Sequence, residues 1–351
     1  MQKKLIALAI AAAFSTPVLA ADASVYGIID GGIASVSSDG HESDLRAVSG
    51  GLSASRIGVN ASEDLDNGMK VSINVEYGLD TEKNGTPTVT DVPFTTRQEK
   101  LALSGNFGTV STGYLHTVAF FFNLKYDPTY GSLISPLQSI NAGAGSFLAG
   151  GARMTQTVAY ATPKMGPFSA EVNYSTGIAD GANSSLASGA VAGNKTTVMM
   201  LSGTYADGPL SVTALYGKDS DDDTGFQSKT DTVLGASYDL GVAKLMGTYA
   251  SSKTATTNSL FSFSGVMPMG SGSVMASYAA NSIDGNAKNG KGFMVGYQQN
   301  LSKATTAYVA FESVKNDSGT AAHSVMTNGV AAGMTPGGSS SLLIAGLRKK
   351  F

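Results

Sequence analysis

Few side chains in this chain are spaced for chemistry. The run Asp219-Ser220-Asp221-Asp222-Asp223 gathers four carboxylates within five residues and could collect a divalent cation. It lacks the central glycine and distal glutamate of a calcium loop, so a solvated surface loop is the expectation. The three histidines, His41, His116 and His323, are far apart in sequence and predict no metal site. There is no cysteine, hence neither a disulfide frame nor thiolate chemistry. Neither G-x-S-x-G nor a P-loop occurs, so motifs for hydrolysis and phosphate binding are absent. A lipase-like site would need a Ser/His pair on an exposed strand face, and no histidine lies in a strand of clear parity. The expectation is a protein that is no enzyme and holds no cofactor.

The elements around these residues are more informative. Lys3 and Lys4 precede the apolar run 5–14, which is too short to span a bilayer, and Pro17 and Val18-Leu19-Ala20 follow. This order predicts a signal peptide over 1–20 and a mature chain from Ala21. Without Lys3 and Lys4 the formal charge of −3 becomes −5, which argues against a nucleic-acid partner. No later run of 18 apolar residues predicts a transmembrane helix. Glycine numbers 43 of 351 residues against 10 prolines, which suits short strands and tight turns.

The dominant period is 2. In 71–79, Val71, Ile73, Val75, Tyr77 and Leu79 share one face, and Ser72, Asn74, Glu76 and Gly78 the other. Phe168, Ala170, Val172 and Tyr174 alternate in the same way with Ser169, Glu171, Asn173 and Ser175. Sixteen such segments follow one another, among them 24–36, 48–60, 69–80, 95–104, 109–116, 153–161 and 340–351. Short turns alternate with connections expected to be mostly long, including 37–47, 117–152 and 252–258. Tyrosines stand at both ends of the strands: Tyr77, Tyr174, Tyr216, Tyr249 and Tyr278 beside long loops, Tyr160, Tyr205, Tyr238 and Tyr297 beside short turns. Two aromatic belts fit two membrane–water interfaces. The expected fold is all-β: one sixteen-stranded antiparallel transmembrane β-barrel over 21–351, closed because lipid tolerates no unpaired edge. A sheet that wide leaves an aqueous lumen, with polar faces inward and apolar faces toward lipid.

The third long loop, 117–152, carries no strand pattern and is rich in Phe, Leu and Ile. A connection of that length needs a function, and it is expected to fold into the lumen and narrow it. The chain then ends "GLRKKF". Leu343, Ala345, Leu347, Lys349 and Phe351 share the lipid face, with Phe351 closing an aromatic belt.

"SRIGVNASEDLDNGMKVSINVEYGL", "RQEKLALSGNFGTVSTGY", "SVYGIIDGGI" and the closing "GLRKKF" resemble Gram-negative general porins, especially the β-proteobacterial branch. The resemblance implies a homotrimer in the outer membrane, in contact with lipid and lipopolysaccharide, that passes small hydrophilic solutes and ions without catalysis. It implies a constriction between the third loop and an arginine cluster, onto which Arg56, Arg97 and Arg153 map, with Asp127 as the loop's acidic side. It implies modest anion preference, and a terminal aromatic, here Phe351, read by the barrel-insertion machinery. Lys70, Glu76, His116 and Tyr126 are further candidates for lining the pore. Alternation directs Arg56 into the lumen, since arginine facing lipid at mid-depth costs about 2–4 kcal/mol. Strict alternation groups Arg97 with Glu99, Leu101 and Leu103, which leaves its direction open. The other function weighed is a barrel that acts in adhesion through its long loops.

Overall fold

The computed structural model describes residues 22–82, 94–144, 148, 151–176, 196–221, 228–284, 289–325 and 335–351. The expected signal segment, and Asp222 and Asp223 of the acidic run, lie outside them. Seventeen strand segments form one antiparallel sheet. The first, β1 (Asp22–Ser38), pairs along one edge with β17 (Ser339–Lys350), from Ile28 opposite Lys350 to Ser38 opposite Ser340. Its other edge pairs with two segments in tandem, β2 (His41–Ser49) and β3 (Arg56–Asp64). These two are halves of one barrel strand, so the barrel has sixteen strands. The expected strand 48–60 is this interrupted strand, and residues 50–55 leave the wall between its halves.

The remaining strands run in sequence around the wall. They are β4 (Lys70–Leu79), β5 (Phe94–Gly105), β6 (Gly108–His116), β7 (Arg153–Ala161), β8 (Phe168–Ser175) and β9 (Thr196–Asp207). Then come β10 (Leu210–Asp221), β11 (Thr230–Asp239), β12 (Lys244–Lys253), β13 (Thr257–Met269), β14 (Gly272–Ile283), β15 (Gly290–Asn300) and β16 (Thr305–Asn316). Two connections expected to be long are tight. β1 and β2 are joined by Asp39-Gly40, and β12 and β13 by residues 254–256, because strand pairing continues past the apolar stretches into polar ends. Asp219 likewise belongs to β10 and is buried; it is no surface-loop residue.

Alternation sets the faces of the wall. In β4, Ile73 faces outward while Asn74 and Glu76 are buried; in β8, Phe168 and Tyr174 are exposed while Asn173 and Ser175 are buried. Leu343 and Leu347 of β17 are exposed, as expected for a lipid-facing row.

The inner face departs from the expectation of a polar lumen over half the circumference. Met200, Leu215, Val233, Ala250, Leu260, Met275, Ala279 and Met294 of β9–β15 point inward and are buried with apolar residues of the third loop. That loop is also not structureless. Its described residues include the helices α1 (Val118–Tyr126) and α2 (Pro136–Ala144). Helix α1 lies against β8–β12 and α2 against β13–β16. Phe122, Tyr126, Ile134, Leu137 and Ile140 are all buried against the wall, each worth about 1.5–3 kcal/mol. A loop rich in Phe, Leu and Ile can sit in a water-filled barrel because the wall beneath it is apolar too.

Candidate functional site: the lumen gap between loop and wall

Wall side chains fix the loop at several points. Asn173 of β8 accepts a hydrogen bond from the Val118 N–H at 2.7 Å, which caps α1 where Thr117 makes no side-chain cap. Tyr126 donates or accepts through its hydroxyl at 2.7 Å from Thr213 and 3.1 Å from Ser211, both on β10. Its ring and that of Phe122 lie over Gly235, where a Cβ would come within 2.7 Å of them. Ser139 donates to the buried Glu312 of β16 at 2.7 Å. Tyr126 is therefore an anchor of the loop and does not line the pore, contrary to expectation, because its whole ring is buried.

Asp127 also departs from its expected place as the acidic side of the gap. It is 2% exposed and does not face the gap. Its carboxylate accepts from the Thr129 N–H at 2.9 Å, the Thr129 hydroxyl at 2.8 Å, the Gly131 N–H at 3.3 Å and the Ser135 hydroxyl. Ser135 in turn accepts from the Gln138 N–H at 3.2 Å and caps α2, with Pro136 at its first position. Asp127 thus ties the end of α1 to the start of α2. Burial raises its pKa above the ordinary carboxylate value, with the four donors pulling the other way.

The loop occupies one side of the lumen, and a cavity of about 780 Å³ separates it from the opposite wall. Arg56, Arg97 and Arg153 all line this cavity. So do Lys100, Arg348 and Lys350, which are not among the residues expected there. Alternation in "GLRKKF" could have found the last two: if Leu347, Lys349 and Phe351 face outward, Arg348 and Lys350 must face inward.

Arg97 reaches the lumen through a bulge. Glu76 pairs with Gln98 and Tyr77 with Thr96, so Arg97 is the extra residue of β5 and has no cross-strand partner. The bulge breaks strict alternation and turns its guanidinium to Glu76 Oε1 at 2.7 Å. Arg56 approaches the other oxygen, with Nε 3.3 Å from Oε2. Tyr26 donates to the same carboxylate at 2.9 Å, and its ring crosses Gly58, where a Cβ would lie 2.4 Å from it. Glu76 is therefore the acid that meets the arginines, and it lies on the wall, not on the loop. Among the described cavity-lining residues it is the sole carboxylate against six cations.

Two other elements shape the gap. Residues 50–55 fold inward, and the buried Asp30 holds them by accepting from the Leu52 N–H at 3.1 Å and the Ser53 N–H at 2.7 Å; Tyr308 donates to its other oxygen at 2.6 Å. This segment supports two of the cations: Arg56 donates to the Ala54 carbonyl and Arg348 to the Ser53 hydroxyl, each at 3.0 Å. On the loop side, the His116 ring stacks on Phe120 at 3.9 Å, and the Arg153 guanidinium lies 5.3 Å from the centre of the same Phe120 ring. His116 thus lines the cavity. Lys70 does not: it is exposed at the short-turn end of β4, 3.3 Å from Asp64, because its place on the polar face falls beyond the lumen's narrow part. Among the described residues no group of three or more His, Cys, Asp or Glu could hold a metal ion.

Phe351 closes the sheet. Its N–H donates to the Gly27 carbonyl at 3.1 Å and its carbonyl accepts from the Gly27 N–H at 2.9 Å. Its ring covers Gly27, where a Cβ would meet ring atoms at 2.2 Å.

Comparison with known proteins places this architecture. A family model described as Gram-negative porin matches residues 7–319. Outer membrane porin protein 32 of Delftia acidovorans is 29% identical over 355 aligned positions, which cover 95% of this chain and 96% of that protein. An outer membrane porin protein of Bordetella pertussis is 26% identical over 340 positions, 90% of this chain and 85% of that protein. Among solved structures, the anion-selective porin from Comamonas acidovorans superposes with a TM-score of 0.78 at 25% identity, covering 95% of this chain and all of that one. The chain belongs to the Gram-negative porin family and is an outer-membrane channel.

Proposed function

We propose that the channel passes small hydrophilic solutes and ions by passive diffusion and prefers anions, with the preference set by the cations that line the gap. One observation carries this reading: among the described residues, Arg56, Arg97, Lys100, Arg153, Arg348 and Lys350 share the cavity with Glu76 alone among carboxylates. The loop side adds no charge to oppose them, because Asp127 is turned inward to its own turn. The cationic wall then raises local anion concentration in a narrow aqueous gap. The similarity to a porin that is itself anion-selective supports the same sign. Side chains within the gap take the role of selectivity, and we read no catalytic role in the chain.

The assembly proposed is a homotrimer in outer-membrane lipid and lipopolysaccharide, delivered by a cleaved signal over 1–20 and by barrel-insertion machinery that reads Phe351. Purified protein in a planar bilayer tests the channel and its selectivity together. Conductance steps should come in groups of three. Reversal potentials under a potassium chloride gradient should shift toward cations in Arg56→Ala and Arg153→Ala. Unchanged potentials would remove these arginines from the selectivity site, and a bilayer in which no channel opens would end the porin reading.

A further inference from the structure

The two sides of the lumen gap are chemically unlike. One is the cationic wall. The other presents Phe121, Leu124 and Tyr130, which are 48%, 37% and 52% exposed although the loop that carries them is packed inside the barrel. Uncovered rings in a water-filled gap do nothing for an inorganic anion: they offer it no donor and exclude part of its hydration.

Tyr130 is also held there at a cost. Its backbone lies in the left-handed region, with φ of 57°, where a residue with a Cβ is strained. The neighbouring Gly131 takes a similar φ of 68° without that strain. The turn is enforced from within, by the Tyr130 N–H donating to the Asp127 carbonyl at 3.0 Å and by the Asp127 carboxylate beneath it. Asp127, buried away from the gap, thus shapes the turn that presents the Tyr130 ring. Phe121 is held as firmly. It stands edge-on to Phe120 at 5.5 Å and to His116 at 6.3 Å, and the Arg153 guanidinium lies over that same Phe120 ring. Cation and exposed ring are therefore neighbours in one packed cluster.

Resting on the anion-channel reading, we propose that the gap is a binding site for aromatic carboxylates. The carboxylate is drawn to the guanidiniums of Arg56, Arg97 and Arg153, whose planar forks suit it. The ring of the solute rests on Phe121, Leu124 and Tyr130. A cavity of about 780 Å³ is within the usual range for small-molecule sites and leaves water beside a monocyclic acid, as a channel requires. Acetate satisfies only the cationic side and benzyl alcohol only the aromatic side; benzoate satisfies both.

The test uses the purified protein in planar bilayers, with chloride current recorded while sodium benzoate, sodium acetate or benzyl alcohol is added. Benzoate should interrupt the current at a concentration at least about tenfold below that of either control. Phe121→Ala and Tyr130→Asn should each narrow the benzoate-to-acetate ratio by about threefold; asparagine tolerates the left-handed turn, so Tyr130→Asn keeps the loop if Phe121→Ala does not insert. Equal potency of benzoate and acetate in the unaltered channel would overturn the proposal, as would a ratio unmoved by both substitutions. Chloride-over-potassium reversal potential, measured in the same membranes before any organic acid is added, tests the anion reading by itself. Chloride preference without a benzoate effect refutes the aromatic site alone.

Discussion

Replacing Glu76 by glutamine removes the one carboxylate among the described lining residues and keeps its shape. The side chain sits between two arginines, 2.7 Å from Arg97 and 3.3 Å from Arg56. For a solute passing at about 7 Å, a unit charge is worth about 0.6 kcal/mol at the dielectric of water and about 2.4 kcal/mol at an effective value of 20. The geometric mean of the two, about 1.2 kcal/mol, is a factor of about eight in local anion concentration. Glu76→Gln should therefore strengthen anion preference, opposite in sign to removal of either arginine. The cation wall also loses its counter-charge, so part of this gain is offset by guanidiniums that spread apart. Because the arginines reach water, the stability loss should fall well short of the roughly 3–5 kcal/mol of a fully buried broken pair. Reversal potentials under a potassium chloride gradient read the effect. At 0.1 M salt the screening length is about 10 Å and the shift should be clear, whereas at 1 M it is about 3 Å and the shift should nearly vanish. A shift toward cations, or one undiminished at 1 M, would refute the electrostatic account, because either would mean that the substitution acts by rearranging the gap.

Two further perturbations address the loop and the seam. Asp127→Asn keeps the volume but leaves donors of Thr129, Gly131 or Ser135 without an acceptor, at about 1–3 kcal/mol; open-channel current should become noisier while the β-sheet circular-dichroism signal of the barrel is unchanged, and a quiet channel would show that the turn holds without the carboxylate. Deleting Phe351 removes the two main-chain hydrogen bonds to Gly27 and the ring over it, so trimer yield should fall several-fold while surviving channels conduct normally; equal yield from the truncated chain would refute a role in assembly.

The barrel was legible in the sequence because period-2 alternation is local and is repeated in strand after strand. The pair Ile73 and Asn74, or Tyr174 and Ser175, already tells outside from inside. The same alternation misled for β9–β15, where Met199, Met200 and Leu201 are apolar on both faces in turn. Met200 can be apolar and still face inward because the third loop covers it, and a loop packed across the lumen is invisible to a window of neighbouring residues. The loop's own helices left a trace in Ser135-Pro136-Leu137-Gln138, whose cap and first-turn proline mark a helix start. Asp127 was misplaced for a related reason. A lone acid in a pore loop can face the gap or fasten the turn, and only the donors of Thr129, Gly131 and Ser135 decide between them.

The residues that shape the gap stand where regular structure breaks. Arg97 is the bulged residue of β5, and it meets Glu76 because the bulge cancels the parity that would have turned it outward. Arg56 begins β3 directly after the inward detour of 50–55, and donates to that detour at Ala54. Arg348 lies on regular β17 yet is oriented by Ser53 of the same detour. Tyr130 occupies a left-handed turn that glycine would adopt more cheaply. An uninterrupted sixteen-stranded wall could present inward side chains only at fixed spacing, every second residue and one strand apart. Bringing two arginines onto the two oxygens of one glutamate needs a residue out of register, and a ring facing them needs a strained turn. Since each break opposes the local pattern, each must be held by something else, and the holders are buried polar groups: Asp30 and Tyr308 for the detour, Asp127 for the turn. Those carboxylates face no solute, yet the positions of Arg56, Arg348 and Tyr130 depend on them, and the acid expected at the constriction is found beneath it.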